Sequence, residues 1–219
     1  MGRENFENAL KQLHLKIIDM GCLVETAIED AVRAFVNRDL TLCMAIIEND
    51  KKVNALEKKI ESKCLWLIAK EQPIASDLRK ISAALKTITD MERIGDHAVD
   101  IAELTQRMVE CPSFADSVDI PQMAEAAIKM VRSAITAYVN YDLALAEKVE
   151  GKDDKVDEYF HRIKRELSLV FAGQPQEIDH AIDLLLIAKY LERIADHAVN
   201  ISQWVHFSQT GEHKNAQIF

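Results

Sequence analysis

Apolar residues recur at alternating steps of four and three through the first part of the chain. This spacing is the period of an α-helix that packs one apolar face against its neighbours. Asn37 and Asp39 then interrupt the pattern, and Asp39 is suited to cap the start of a second helix. The pattern therefore predicts a long first helix. Its apolar positions are Phe6, Leu10, Leu13, Ile17, Met20, Val24, Ala27, Ala31 and Ala34.

The same periodicity continues along the chain and predicts five further helices, each ended by a proline, a glycine or a polar segment. The predicted breaks and the final helix end fall at Gln72-Pro73, residues 111–121, Gly151, Gly173 with Pro175, and Phe207. Long helices of this kind pack side by side in antiparallel bundles. We therefore expect an all-α fold of six long helices without strands.

The two halves of the chain repeat each other in order and in spacing. AFVNRDL at 34–40 matches AYVNYDL at 137–143, and MERIGDHAVDI at 91–101 matches LERIADHAVNI at 191–201. Caps, turns and polar residues repeat together with the apolar positions, which helical periodicity alone does not produce. The sequence thus predicts two tandem, repeat-related antiparallel three-helix bundles. These are residues 1–112, and residues 113–219 with a short polar C-terminal tail.

The most densely repeated polar residues lie in the third helix of each copy. In the first copy Glu92, Asp96 and Asp100 follow one another at steps of four. Like charges at this spacing destabilise a helix by about 0.2–0.5 kcal/mol per pair, so we expect a cation beside them. A chain reversal near residue 72 places Asp50 of the second helix level with this row, opposite the neighbourhood of Ile94. These four side chains form a predicted metal site.

The second copy repeats the arrangement with less charge in its row. Glu192 and Asp196 recur, and the same residue count brings Asp153 level with them. Asn200 stands where the first copy has Asp100, so we expect this second site to bind metal more weakly. Carboxylates from facing helices are a common metal site in bundles. Their oxygen ligands suit Mg, Mn or ferrous or ferric Fe, and a nearby imidazole would admit Zn.

Several neighbouring residues are expected to support these ligands. A histidine one residue after each repeated aspartate is turned about 100° around the helix, which makes joint ligation awkward. A phosphorelay role for these histidines is the alternative to a supporting one. The arginines of the motif leave a second alternative open, in which salt bridges neutralise an ordinary solvated acidic face. The supporting residues are His97, His197, Arg93, Arg193, Asn54, Asp157 and Asn200.

Composition narrows the class of partner and the location. The chain has 27 basic and 36 acidic residues and a net charge of -9, which disfavours nucleic-acid binding because phosphate backbones require a basic surface. The sequence contains no apolar stretch near the ~18 to 20 residues that span a bilayer and no signal-peptide pattern. Its four cysteines lack C-x-x-C spacing and are expected to be buried thiols. We expect a cytoplasmic protein without direct membrane insertion.

The repeated motif resembles the PhoU family. MERIGDH at 91–97, LERIADH at 191–197 and QPIASDLR at 72–79 carry the resemblance, which extends from about residue 5 to residue 207. It implies a non-enzymatic cytoplasmic regulator of phosphate uptake that represses the phosphate-starvation response. It also implies contacts with the ATPase of the phosphate ABC transporter and with a sensor histidine kinase, and a homodimer. Some family members bind metal clusters through Glu/Asp-x-x-x-Asp motifs.

Two other functional classes remain open on the sequence alone. A carboxylate-bridged helical metalloenzyme that acts on phosphate esters would use the same acidic rows, and metal-dependent turnover would reveal it. A metal-free helical scaffold is the other alternative, which elemental analysis would identify. The sequence carries no Gly-rich phosphate loop, no H-E-x-x-H and no E-x-x-H of the di-iron type. We therefore expect no catalytic residue.

Overall fold

A computed structural model describes residues 3–108, 119–173, 175–213 and 216–217. It contains a 3-10 turn, Pro175–Glu177, before the last helix and a two-residue antiparallel pairing of β1 (Glu212–His213) with β2 (Ala216–Gln217) after it. The all-α fold is confirmed, although the sequence did not predict this small pairing in the tail. The helices are α1 (Arg3–Asn37), α2 (Leu40–Glu71), α3 (Ala75–Arg107), α4 (Ile120–Asn140), α5 (Leu143–Glu150), α6 (Asp153–Gly173) and α7 (Ile178–Thr210).

The break between α1 and α2 recurs between α4 and α5. Arg38 and Tyr141 both adopt positive φ, and the aspartate that follows each of them caps the next helix. Asp39 Oδ1 accepts from Leu42 N at 3.0 Å, and Asp142 Oδ1 accepts from Leu145 N at 2.9 Å. The fourth helix was expected to run to Gly151, which is wrong, because this left-handed turn and cap end it at Asn140.

The helices form two related bundles that are joined mainly through their third members. α1, α2 and α3 form the first bundle, and α4, α5 with α6, and α7 form the second. The contact of α3 with α7 is the most extensive between any two helices described, and α1 also meets α4. There a Cβ at Gly21 would lie only 2.9 Å from Ile135 Cγ2, so glycine allows the close approach. Arg132 Nε also lies 3.2 Å from Glu25 Oε2 across this contact.

The core follows the predicted apolar stripes. All nine stripe positions of α1 are buried or half-buried, and Ile17, Met20 and Val24 are almost fully enclosed. Cys43 and Cys64 are buried as expected, but Cys22 is exposed. The expectation for Cys22 was wrong because it lies two residues from both Met20 and Val24, on the opposite side of the helix.

Residues 111–118 of the expected linker, the bundle boundary at 112/113 and Cys111 lie outside the described residues. Within the described part of the chain, no helix is both long and apolar enough to cross a membrane.

The repeated aspartate cap yields a first prediction. Replacing Asp39 with Ala removes the side-chain acceptor for the Leu42 amide, so the free energy of unfolding should fall by about 1 kcal/mol. Asp39→Asn keeps a capping oxygen, so its free energy of unfolding should fall by less than half of that amount. Urea denaturation of the three proteins measures the difference. Equal losses in the two variants would show that the cap hydrogen bond does not stabilise this helix start.

Candidate functional site

The first acidic cluster lies between α2 and α3. Asp50 is level with Gly95, because a Cβ added at Gly95 would lie 3.3 Å from Asp50 Oδ1. The residue count about the α2–α3 turn, which placed Asp50 opposite Ile94, is therefore correct to one residue. Asp50 Oδ2 accepts a hydrogen bond from Asn54 Nδ2 at 2.6 Å, so Asn54 lies beside the predicted ligand as expected.

The carboxylates of this cluster repel one another. Burial raises the pKa of Asp50, and the charge of Asp96 raises it further. Burial also raises the pKa of Glu92, with a second contribution from Asp96 that the guanidinium of Arg93 partly offsets. The structure thus brings Asp50, Glu92 and Asp96 into one electrostatic group. An added cation would favour the charged form of each carboxylate.

A fourth member of this group was missed by the sequence analysis. The pKa of Glu57 is raised by burial and then by Glu61, and Asp96 also contributes. Glu57 lies three residues after Asn54, so the face of α2 that carries Asp50 could have identified it. The repeat does not indicate Glu57, because the equivalent position in the second copy is Phe160.

The second acidic cluster lies between α6 and α7. The pKa of Asp153 is raised to about 6 by burial, by Asp157 and by Asp196. Asp157 replaces the neutral Asn54 of the first cluster, which adds a carboxylate. Lys189 forms a salt bridge with Glu192, which adds a cation. Asp157 should strengthen the attraction of this cluster for a cation, whereas Lys189 should weaken it. The weaker metal affinity of this site therefore stays a prediction.

The two motif arginines make the salt bridges that the alternative interpretation requires. Arg93 Nη1 lies 3.1 Å from Asp96 Oδ2, and Arg193 Nη1 lies 3.2 Å from Asp196 Oδ2. The arginine side chains are 57% and 54% exposed, and solvated ion pairs of this kind contribute about 0–1 kcal/mol each. Each arginine thus pairs with the repeated aspartate of its own helix, and Arg93 also partly offsets the raised pKa of Glu57 on the facing helix.

The buried oxygens provide a test of whether these residues fit a metal ion. Among the described residues, Asp50 Oδ1, Asn54 Oδ1 and Asp153 Oδ1 are buried and have no hydrogen-bond partner. Unsatisfied buried acceptors are costly, and oxygen-only donor sets match hard cations such as Mg²⁺ and Mn²⁺. The donors therefore fit. Within the described chain, however, the side chains do not stand as a group of three His, Cys, Asp or Glu placed for coordination.

Asp100 lies apart from the first cluster. Its Oδ2 is 3.2 Å from His97 Nδ1, and the side chain contributes to the charge around Tyr190 of α7. A step of four residues advances about 40° around a helix, so a residue eight positions after Glu92 has turned by about 80°. The predicted row therefore divides, with Glu92 and Asp96 facing α2 and Asp100 facing the second bundle.

The two motif histidines meet at the interface between the bundles. Their ring centroids are 5.7 Å apart, and burial lowers the pKa of His97. His197 Nδ1 lies 2.8 Å from Asp90 Oδ1, and Asn200 Nδ2 donates to the same oxygen at 3.2 Å. The structure thus places His97, His197 and Asn200 in a polar contact between α3 and α7.

Together these features define a class of protein: a duplicated three-helix bundle with an acidic cluster between the second and third helices of each copy. The PhoU domain family model matches residues 17–105 and 120–205, one match in each bundle. The chain therefore belongs to the PhoU family.

Similar proteins cover almost the whole chain. A protein of Caulobacter vibrioides named phosphate-specific transport system accessory protein PhoU homolog is 35% identical over 215 residues, which are 98% of this chain and 94% of its own. The protein of the same name from Clostridium acetobutylicum is 35% identical over 213 residues, 97% of both chains.

Two solved structures have the same fold. The crystal structure of PhoU from Pseudomonas aeruginosa matches with a TM-score of 0.89 and 32% identity, over 94% of this chain and all of that one. The phosphate transport system regulatory protein PhoU from Streptococcus pneumoniae matches with a TM-score of 0.88 and 26% identity, over 96% of this chain and all of that one.

The raised pKa of Asp153 predicts a pH dependence of stability. Its folded-state pKa of about 6 exceeds the ordinary value of 3.8, so the folded protein holds this proton more tightly than the unfolded chain. Without metal, stability should therefore fall as pH rises from about 4 to 6. Asp153→Asn should remove this loss and be more stable than the parent at pH 7 by about 1 kcal/mol. The gain is no larger because solvent screens part of the repulsion.

Thermal unfolding in a chelator, from pH 3.5 to 7.5, measures this effect. The matched control is Glu158→Gln, since Glu158 is an exposed acid on the same helix and is not among the charges that raise the pKa of Asp153. The control should keep the pH dependence of the parent. If the stability of Asp153→Asn and that of the parent changed with pH in parallel, the inferred repulsion in the second cluster would be wrong.

Proposed function

We propose that this protein regulates phosphate transport as a cytoplasmic, non-enzymatic accessory protein. The observation that supports the proposal is its similarity, over almost the whole chain, to proteins named phosphate-specific transport system accessory protein PhoU homolog. The solved structure from Streptococcus pneumoniae carries the related name phosphate transport system regulatory protein. Both bundles take part in these matches, so the proposal concerns the whole chain.

The proposed regulation acts through protein contacts. The protein binds the ATPase of the phosphate ABC transporter and a sensor histidine kinase, and it holds the phosphate-starvation response off when phosphate is plentiful. The acidic net charge agrees with docking to protein surfaces rather than to nucleic acid or anionic lipid. The protein acts as a homodimer, a part of the proposal that rests on family resemblance.

The proposed metal ions lie in the two acidic clusters. Glu92, Asp96 and Asp50 hold the first ion or ions. Glu192, Asp196 and Asp153 form the second set. A bound cation offsets the mutual repulsion of the carboxylates and ties the second helix of each bundle to its third. The unpartnered buried oxygens of the aspartates on α2 and α6 support this part of the proposal.

A reporter strain tests the regulatory role. Deletion of the gene should leave a phosphate-starvation promoter active in phosphate-rich medium, because the contact that keeps the kinase in its repressing state is lost. The measurement is reporter output at high and low phosphate in the deletion strain, the parent and a complemented strain. Full repression at high phosphate in the deletion strain would reject the proposed function.

Metal titration tests the cation sites on the purified protein. A free cation concentration of 100 times the dissociation constant should raise the free energy of unfolding by about 2.7 kcal/mol for each site. Asp96→Asn should lose the gain from the first site and Asp196→Asn the gain from the second. The measurement is thermal unfolding with Mg²⁺, Mn²⁺, Fe²⁺, Fe³⁺ or Zn²⁺, together with metal content by elemental analysis.

The control for this experiment is Glu158→Gln, which removes one exposed carboxylate from α6. It should keep the full metal-dependent gain of the parent. Stability of the parent that no cation changes would show that the acidic clusters do not bind metal. A strain that carries Asp96→Asn and Asp196→Asn together links the clusters to the regulatory role. Loss of repression in this strain would show that signalling requires the clusters, whereas full repression would show that it does not.

A further inference from the structure

A cavity of about 440 Å³ lies where α1 and α3 of the first bundle meet the C-terminal end of α4. Small-molecule sites in proteins usually have volumes of about 300–1,000 Å³. The residues assigned to the acidic clusters do not line this cavity. Apolar side chains supply much of its wall, including Leu10, Leu13, Ile17 and Ala84.

The charged side chains known to line this cavity are positive. Lys11 and Lys80 line it, and the described residues contribute no aspartate or glutamate to the lining, although acidic residues outnumber basic ones in the chain. Neither lysine forms a salt bridge with the described residues, which leaves both ammonium groups available to an anion. A cavity with an apolar wall and two cations that have no salt-bridge partner among the described residues differs from an ordinary solvated surface, where charges of both signs alternate.

One wall of the cavity is a stack of aromatic rings. The ring of His14 lies 5.8 Å from that of Tyr141 and 6.4 Å from that of Tyr138, at interplanar angles of 18° and 21°. Burial lowers the pKa of His14, so this ring adds no charge at neutral pH. Lys80 Nζ lies 5.7 Å from the centre of the Tyr141 ring, which places one cation beside the stack.

The repeat explains why the aromatic wall stands at this end of the molecule. Tyr141 occupies the left-handed position that ends α4, and the equivalent position in the first copy is Arg38. The positive φ of Tyr141 and the cap at Asp142 hold the turn that carries this ring. The two tyrosines of the wall therefore belong to the second bundle, whereas His14, the leucines and the lysines belong to the first.

We propose that this cavity binds a small amphiphilic anion. The ligand has an apolar body, alkyl or aryl, that packs against the leucines and the stacked rings. It has a single carboxylate or phosphate head that binds Lys11 and Lys80. A neutral apolar ligand would leave both lysines without a partner, and inorganic phosphate has no group for the apolar wall. The occupant contacts both bundles, so it also bridges their junction.

Fluorescence titration of the full chain with 1-anilinonaphthalene-8-sulfonate tests the proposal, since this probe joins an aromatic body to one anionic group. We expect one saturable site per chain. Decanoate and decyl phosphate should displace the probe at concentrations about tenfold lower than decanol, because a hydrogen-bonded charge pair commonly changes affinity by about that factor. The comparison of decanoate with decyl phosphate identifies the preferred head group. Inorganic phosphate should not displace the probe.

Charge-reversal variants locate the site. Lys80→Glu and Lys11→Glu should each weaken decanoate binding about tenfold or more. The matched control is Lys86→Glu, since Lys86 is an exposed lysine on the same helix outside the cavity, and its affinity should stay within about twofold of the parent. Lys80→Met removes the charge but keeps the chain length, so it replaces Lys80→Glu if circular dichroism shows lost helix.

Two results would overturn this assignment. One is equal decanoate affinity in the Lys80 variant and the Lys86 control. The other is displacement of the probe by decanol as effectively as by decanoate. The experiment uses metal-free protein without partners, so its outcome is independent of the regulatory and metal proposals.

Discussion

The packing of α3 against α7 joins the two bundles through the most extensive contact between any two helices that the structure describes. Each of these helices also packs against the second helix of its own bundle, so apolar or small residues are needed on two of its faces. The repeated motif supplies them, since its isoleucines and alanines are almost fully buried in both copies. The remaining positions carry the polar groups. The buried pairs are Ile94 and Ile194, Ala98 and Ala198, and Ile101 and Ile201.

This arrangement concentrates negative charge where the helices are closest. Asp50 approaches the backbone of α3 because Gly95 has no side chain, and burial there raises the pKa of Asp50. In the second bundle Ala195 stands at the equivalent position, and Lys189 pairs with Glu192. Each copy thus places carboxylates from two helices against a well-packed core, with partial compensation from exposed arginines. This repulsion between carboxylates, which occurs in both copies, is the physical basis for proposing bound cations.

The contact between the bundles is less symmetric than the repeat. His97 pairs with Asp100 of its own helix, whereas His197 pairs with Asp90 of the other bundle. The position equivalent to Asp90 is Tyr190, whose ring stacks on His97 at 5.3 Å. Identical motif residues therefore have different partners, because the residues around them have diverged. Tyr141, which contributes to the aromatic wall of the cavity, likewise stands where the first copy has Arg38.

The chain alone was enough to predict the helical class, the two-bundle repeat, the cap at Asp39 and the level of Asp50 against α3, because helical period, capping chemistry and residue count are local properties. It also identified the family through the repeated motif. The folded structure was needed to assign the role of Asp100, the partners of the histidines and the involvement of Glu57 and Lys189. These features depend on the direction in which a side chain points two turns further along a helix, and on which bundle lies opposite that side chain. Both are set by packing between helices that are distant in the chain.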